Sequence, residues 1–253
     1  LFINMLNKIF YPKKIRNLIR VGNKFDGGYV FSKTVLSKCR NCLTFGLGDN
    51  FTFEIHLKKI NPKIKIEVLD HTINYKFWIK HFFFWLWKSI RFRKYLKFLT
   101  FINYFYFFHI RENKHRKIKV GSSGNNLSNI LAKTKIDPKK TLLKIDIDGD
   151  EYKIIDKIKN YDFLGLIIEF EHFNKNLKKV EEFIRKNKNL ELIHIHGNNF
   201  SPTINNIPNS LELSFVNRKL IKIIKPNKKK YPIKELDFPN DVMKKNLKIF
   251  FKK

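Results

Sequence analysis

LTFGLGDNFTFE, residues 43–54, decides how the rest of the chain is read. The apolar run Leu43-Thr44-Phe45 stops at Gly46-Leu47-Gly48-Asp49, and an amphipathic stretch begins at Phe51 and runs through Leu57. That order predicts a buried strand, a glycine turn and a helix. Two glycines remove the Cβ atoms that would hold a ligand away from the backbone, and the helix start adds unpaired N–H groups. A second apolar run, Ile64–Leu69, ends on Asp70, where an acid can take the two hydroxyls of a ribose. A plain tight turn also uses Gly-x-Gly, so the chemistry around it must choose.

Two details choose. No third glycine follows at the dinucleotide spacing, because Thr52 and Phe53 stand where a small residue would be needed. Asp49 and Glu54 place negative charge where a pyrophosphate would be repelled. A cofactor with a positive centre and an amino-acid end fits better than a dinucleotide, and S-adenosyl-L-methionine is such a cofactor.

At 253 residues and 43% hydrophobic content, the chain can bury a full core as one large domain, 1–253. Its net charge of +30 suits an anionic partner, but the lysines are spread over nearly every segment beside abundant Asn, Ile and Phe. That spread favours a compositional origin over a single nucleic-acid stripe. Cys39 and Cys42 form a lone C-x-x-C, read as structural thiols ahead of a redox pair or a metal site. The chain opens on Leu1, with Met5 its first methionine, and no secretory signal is read. A cytoplasmic setting, reaching to the inner face of the membrane, is the expectation.

Periodicity places a helix over 10–20, then strands near 42–46, 64–69, 117–120, 141–147, 164–170, 190–195 and 211–216. Helices fall near 51–59, 127–132, 151–158 and 177–186, and a Lys/Pro-rich tail from 225 to 253 is expected to wrap the surface. Such alternation predicts an α/β fold: a mostly parallel sheet of roughly seven strands with helices on both faces. The aromatic stretch 77–111 interrupts it as an insertion. Its uncharged runs, 82–87 and 98–108, are too short to span a bilayer. It reads as helices covering the sheet edge or the site. A basic-aromatic surface for an anionic membrane or glycolipid is the sharper alternative, and RNA stacking a further one.

Ligands of open α/β sheets sit beyond the carboxyl ends of the strands. Those ends carry Asp70-His71-Thr72, Gly121-Ser122-Ser123, Asp146-Ile147-Asp148, Glu169-Phe170-Glu171-His172 and His194-Ile195-His196. Asp146 and Asp148 alternate with apolar residues and so share a face. Asp146 is expected to hold the cofactor's charged end or a substrate hydroxyl, while Asp148 could instead cap the following helix. Methyl transfer to a hydroxyl needs positioning and a base, and His172 and His196 are both candidates for that base. A divalent metal held by Asp146, Asp148, Glu171 and His196 is an alternative arrangement.

These pieces together resemble the FkbM-like family of S-adenosylmethionine-dependent methyltransferases. The matching segments are RVGNKFDGGYVF (20–31), LTFGLGDNFTFE (43–54), VLDHT (68–72), LLKIDIDGDEYKII (142–155), LIIEFEHF (166–173), IHIHGNN (193–199) and LELSFV (211–216). Asp148 and Asp150 stand where the family usually has glutamate and a small residue; Asp146 and Gly149 are kept. The resemblance implies a Rossmann-like methyltransferase whose last strand is antiparallel. It implies a cofactor loop of Gly46, Gly48 and Asp49, a ribose contact at Asp70, and a motif Asp26-Gly27-Gly28-Tyr29 meeting the cofactor's amino-acid end. Ser123, at the end of the third strand, completes the expected cofactor set. Relatives act mostly on sugar hydroxyls of surface polysaccharides or on natural products, which makes a sugar hydroxyl of a surface glycan or of its nucleotide-linked precursor the expected acceptor. An RNA-directed methyltransferase or RNA-binding protein is the rival reading, motivated by the +30 charge. The Asn/Asp-Pro-Pro-aromatic motif of exocyclic-amine chemistry does not occur in the sequence, which makes nucleic acid the less favoured partner.

Overall fold

The computed structural model describes residues 5–92, 99–110, 112–221, 226–227 and 229–252. A hairpin of β1 (Leu18–Val21) and β2 (Tyr29–Ser32) and the one-turn α1 (Lys33–Leu36) lead into the main alternation. That alternation runs β3 (Asn41–Phe45), α2 (Thr52–Ile60), β4 (Lys65–Leu69), then the aromatic helices α3 (Tyr75–Phe92) and α4 (Leu99–Phe105). It continues through β5 (Lys114–Arg116), α5 (Leu127–Thr134), β6 (Thr141–Ile145), α6 (Ile155–Ile158), β7 (Gly165–Phe170), α7 (Phe173–Lys186) and β8 (Leu190–Gly197). A small hairpin of β9 (Thr203–Ile204) and β10 (Ile207–Pro208) then leads to β11 (Leu211–Asn217).

Seven strands form one sheet in the order β5-β4-β3-β6-β7-β11-β8. β5, β4, β3, β6 and β7 run parallel to one another, and β11 runs antiparallel to both β7 and β8. Counted within the sheet, the order is 3-2-1-4-5-7-6 with the last strand reversed, the Rossmann-like methyltransferase arrangement. Strand order turns back on itself between β3 and β6, and a crevice opens at that switch point.

The period of two sorts the strand side chains onto two cores. Leu43, Phe45, Leu143, Ile145, Leu166 and Ile168 pack with α5, α6 and α7. Cys42, Val68, Leu142 and Ile167 pack with α1, α2, α3 and the β1–β2 hairpin. With both faces covered, every residue of β6 and β7 is buried, which is why these strands read as near-continuous apolar runs. Cys39 and Cys42 are free and buried in the second core, and burial pushes the Cys39 thiol up to about 12.

Three expectations need correction. Residues 10–20 hold no α-helix: a 3-10 turn at Lys8–Phe10 gives way to extended chain and β1. Ile15, Leu18 and Ile19 have helical spacing, but Leu18 and Ile19 pair with β2 as a strand. The third parallel strand lies at Lys114–Arg116, not at 117–120, because Glu67 of β4 pairs with Lys114. The C-terminal segment does more than wrap: Tyr231, Ile233 and Ile249 are buried, and Leu6 exchanges backbone hydrogen bonds with Phe250 and Lys252. No helix among the described residues is long and apolar enough to cross a membrane.

Candidate functional site

A cleft of about 250 Å³ opens at the switch point, walled by the β3–α2 loop, the β4 end, the β6 end and the β1–β2 turn. The two loop glycines serve different neighbours. Gly46 has φ +77°, and a Cβ there would lie 1.6 Å from the Asp146 carbonyl oxygen, so it permits contact between β3 and β6. Gly48 has φ +60° and nothing within 4 Å of the place its Cβ would occupy. It is the glycine that bares backbone to the cleft.

Asp70 lines this cleft, and its oxygens are already engaged by the chain. Oδ2 accepts from the N–H groups of Leu47 (2.8 Å) and Gly48 (3.1 Å). Oδ1 accepts from the Thr72 N–H (2.7 Å), the Thr72 hydroxyl (2.6 Å) and the Ile73 N–H (3.4 Å). Burial pulls its pKa upward, but the bonds from Thr72, Leu47 and Gly48 outweigh that and hold it below the usual carboxylate value. Asp70 thus fixes the glycine loop, and a ribose hydroxyl would share an oxygen with it.

Beneath the cleft lies an ion cluster built on Lys144, a residue the sequence assigned no role, and it takes up Glu54, which is buried and cannot face a ligand. Lys144 of β6, almost fully buried, sits 3.9 Å from Glu54 Oε1 and 3.8 Å from Asp146 Oδ2. Its ammonium also faces the rings of Tyr29 (5.1 Å) and Phe53 (5.9 Å). Thr44 donates to Glu54 Oε1 at 3.0 Å, and the Tyr29 hydroxyl donates to Asp146 Oδ2 at 2.7 Å. The only sequence signal was a lysine inside an otherwise apolar strand, two and four residues ahead of two acids.

The β1–β2 turn reaches the same cleft. Asp26 and Tyr29 line it, and the Asn50 side chain donates to the Asp26 carbonyl at 3.0 Å, tying the turn to the start of α2. Asp49 also lines the cleft, as do Asp148 and Asp150. Asp148 adopts φ +50° beyond the end of β6, and it caps no helix. Burial, then the charges of Asp146 and Asp70, raise its pKa. Glu151 is a second unassigned residue: its side chain accepts from the N–H groups of Gly149 (2.9 Å) and Glu171 (2.8 Å), joining the ends of β6 and β7.

Four expected site residues lie elsewhere. Ser123 is exposed in the turn after β5, and Ile118, Lys119 and Val120 form the wall in its place. His172 is exposed at the head of α7 with φ +50°, its ring beside Gly149 and outside the cleft wall. His196 is buried: Nε2 lies 3.1 Å from Asn240 Oδ1 and Nδ1 3.6 Å from Asp237 Oδ1. Burial depresses its pKa to about 4, so it is neutral and shut away from any acceptor. Glu171 uses its backbone N–H and carbonyl to hold Glu151 and Tyr152 and does not line the cleft. The expected metal quartet is therefore not assembled, and among the described residues no group of three or more His, Cys, Asp or Glu side chains could hold a metal ion.

His196 belongs to a buried polar layer next to Asp146. Glu212 of β11 pairs in register with Glu169 of β7 on one side and His196 of β8 on the other. Asn198 and Ser210 donate to Glu169 at 2.7 and 2.8 Å, and Asn240 donates to Glu212 at 2.8 Å. Burial lifts Glu212 to about 8, against the Asn240 hydrogen bond and the charge of Arg20. A carboxyl near 4.5 when unfolded and near 8 when folded contributes stability fully below about 4.5, lost as pH climbs to about 8. Wild type minus Glu212→Gln stability, from urea unfolding, is expected to fall over this window and level off above it. A difference independent of pH would mean that Glu212 is ionised throughout.

No family model matches the sequence, and no curated protein matches it. Solved structures do share its chain path in part. Precorrin-6y C5,15-methyltransferase from Geobacter metallireducens GS-15 is 13% identical, covering 73% of this chain and 87% of its own, with a TM-score of 0.40. A SAM-dependent methyltransferase from Aquifex aeolicus is 9% identical, covering 72% and 84%, with a TM-score of 0.37. A fibrillarin pre-rRNA processing protein from Methanococcus jannaschii is 10% identical, covering 72% and 68%, with a TM-score of 0.40. Strand order and register, not these likenesses, carry the fold: a Rossmann-like methyltransferase sheet with its glycine loop at the switch point.

Proposed function

We propose that the chain is an S-adenosyl-L-methionine-dependent O-methyltransferase acting on a sugar hydroxyl of a surface glycan. One observation carries the cofactor reading. In a protein of net charge +30, the switch-point cleft is lined by Asp26, Asp49, Asp70, Asp146, Asp148 and Asp150 against Lys119 and Lys144. An acid-rich cleft attracts a sulfonium and an α-ammonium group and repels a pyrophosphate. Gly48 supplies the bare backbone such a ligand can approach. The bound cofactor would supply an electrophilic methyl group; Asp26, Tyr29 and Asp146 stand where its cationic end would lie.

For the base, Asp148 replaces the two histidines. Its raised pKa brings it closer to the range in which a carboxylate accepts a proton well, and it faces the cleft beside Asp146. The acids also disfavour a phosphodiester or nucleotide-linked acceptor at this mouth, which supports a glycan hydroxyl over RNA. Calorimetric titration with S-adenosylmethionine is expected to show one site, and Asp148→Asn to lower turnover by about 10²–10⁴-fold, far more than it lowers that affinity. An unmodified chain that binds no S-adenosylmethionine overturns the cofactor reading. Binding with full turnover in Asp148→Asn overturns only the base.

A further inference from the structure

The outer face of the aromatic helices has no use in the cofactor cleft. Trp78 and Trp85 of α3 and Tyr104 of α4 are buried in the second core, with Trp78 and Tyr104 rings 4.6 Å apart. On the other side of α3, Tyr75, Ile79, Phe83, Trp87 and Ile90 are all exposed, with Ile90 at 73% and Tyr75 at 69%. At about 100° per residue these five fall within an arc of about 120°. Ile102, Phe105 and Tyr106 extend the exposed apolar surface onto α4 and the turn after it.

Charge on this face has one sign. Residues 71–111 contain eight Lys or Arg and no Asp or Glu. Lys76, Lys80 and Arg91 are exposed beside the stripe, while Lys88 lies 4.5 Å from the Phe84 ring centre.

We propose that this face of α3 and α4 docks on the surface of an anionic lipid bilayer, with α3 lying in the interface plane. Aromatic and aliphatic side chains would enter the headgroup boundary while the lysines meet lipid phosphates. Charge argues against one rival occupant and side-chain chemistry against the other. A second copy would oppose lysine to lysine across a two-fold interface. RNA would leave Ile79, Ile90 and Ile102 without a stacking partner, since aliphatic side chains offer no π face. The proposal does not depend on the cofactor reading.

The chain reports on this face by itself. Of its three tryptophans, Trp78 and Trp85 are 2% and 4% exposed, and Trp87 is 56% exposed. Vesicles of phosphatidylcholine with about one-third phosphatidylglycerol are expected to shift the emission to the blue, and pure phosphatidylcholine to do so far less. Trp87→Phe should remove the shift while vesicle sedimentation persists. The triple change Ile79→Ser, Phe83→Ser, Ile90→Ser alters exposed positions, so its circular dichroism should match wild type while sedimentation weakens at least about tenfold. Vesicle binding that leaves Trp87 unshifted, or that survives the triple change, would place the contact elsewhere and overturn the proposal. So would a Trp87 response to structured RNA without vesicles, or a dimer that the triple change dissolves.

Discussion

Replacing Lys144 by methionine is expected to lower unfolding free energy by about 3–5 kcal/mol, the usual cost of leaving a buried charge without its partner. Methionine keeps most of the stem volume, so the loss isolates the charge. Glu54 is fully buried, its Oε2 has no hydrogen-bond partner, and Lys144 is the cation beside it. Burial alone would lower the Lys144 pKa; Glu54 and Asp146 outweigh it and raise it. By linkage this contribution is complete below the ordinary lysine value of 10.5 and is lost as pH rises through the folded value. Thermal unfolding of Lys144→Met at neutral pH should show a midpoint about 10 °C lower. Adding Glu54→Gln removes the orphaned carboxylate and should restore part of the loss, giving a coupling of more than about 1 kcal/mol. A neutral single variant, or strictly additive effects, would mean that the triad contributes nothing.

How much of this architecture could be read beforehand depended on the range of the signal. β3, β4, β6, β7, β8 and β11 announce themselves because both faces are covered, so apolar runs such as Leu142-Leu143 and Leu166-Ile167-Ile168 are continuous and local. β1 and β5 do not. Their identity is set by a partner strand: the helical spacing over 10–20 runs into Leu18–Val21, which pairs with Tyr29–Ser32 instead. Glycine turns and strand-end acids were equally local, and Asp26, Tyr29, Gly46, Gly48, Asp49, Asp70 and Asp146 do meet at one cleft. His196 misled because His-Gly-Asn-Asn reads as a strand leaving for solvent. Nothing near it in sequence shows that Asp237 and Asn240 fold back over the end of β8. Lys144 went unread, and Glu54 was read as facing a ligand when it is buried against Lys144 and outside the cleft wall, for the same reason: they are 90 residues apart in sequence, and a charged pair buried beneath a cleft has no periodic signature.

Gly48→Val should reduce S-adenosylmethionine affinity about 100-fold or more, a loss of about 2.8 kcal/mol. The backbone at Gly48 lies at φ +60°, a left-handed conformation that costs a β-branched residue about 1–2 kcal/mol. That strain alone would shift unfolding modestly. The methyl groups act differently: no non-adjacent atom lies within 4 Å of the added Cβ, and Gly48 lines the cleft of about 250 Å³, so the side chain takes open space beside the ligand. Gly48→Ala carries similar strain with one methyl group and should fall between wild type and valine in affinity. Gly46→Ala supplies the opposite control. Its Cβ would collide with the Asp146 carbonyl at 1.6 Å, forcing β3 and β6 apart, so unfolding should change far more than at Gly48. Calorimetry and thermal unfolding on the three variants therefore separate ligand space from strand packing. If valine at 48 bound S-adenosylmethionine as tightly as glycine, the cofactor could not lie against this loop, and the acids around the cleft would have to serve another cation.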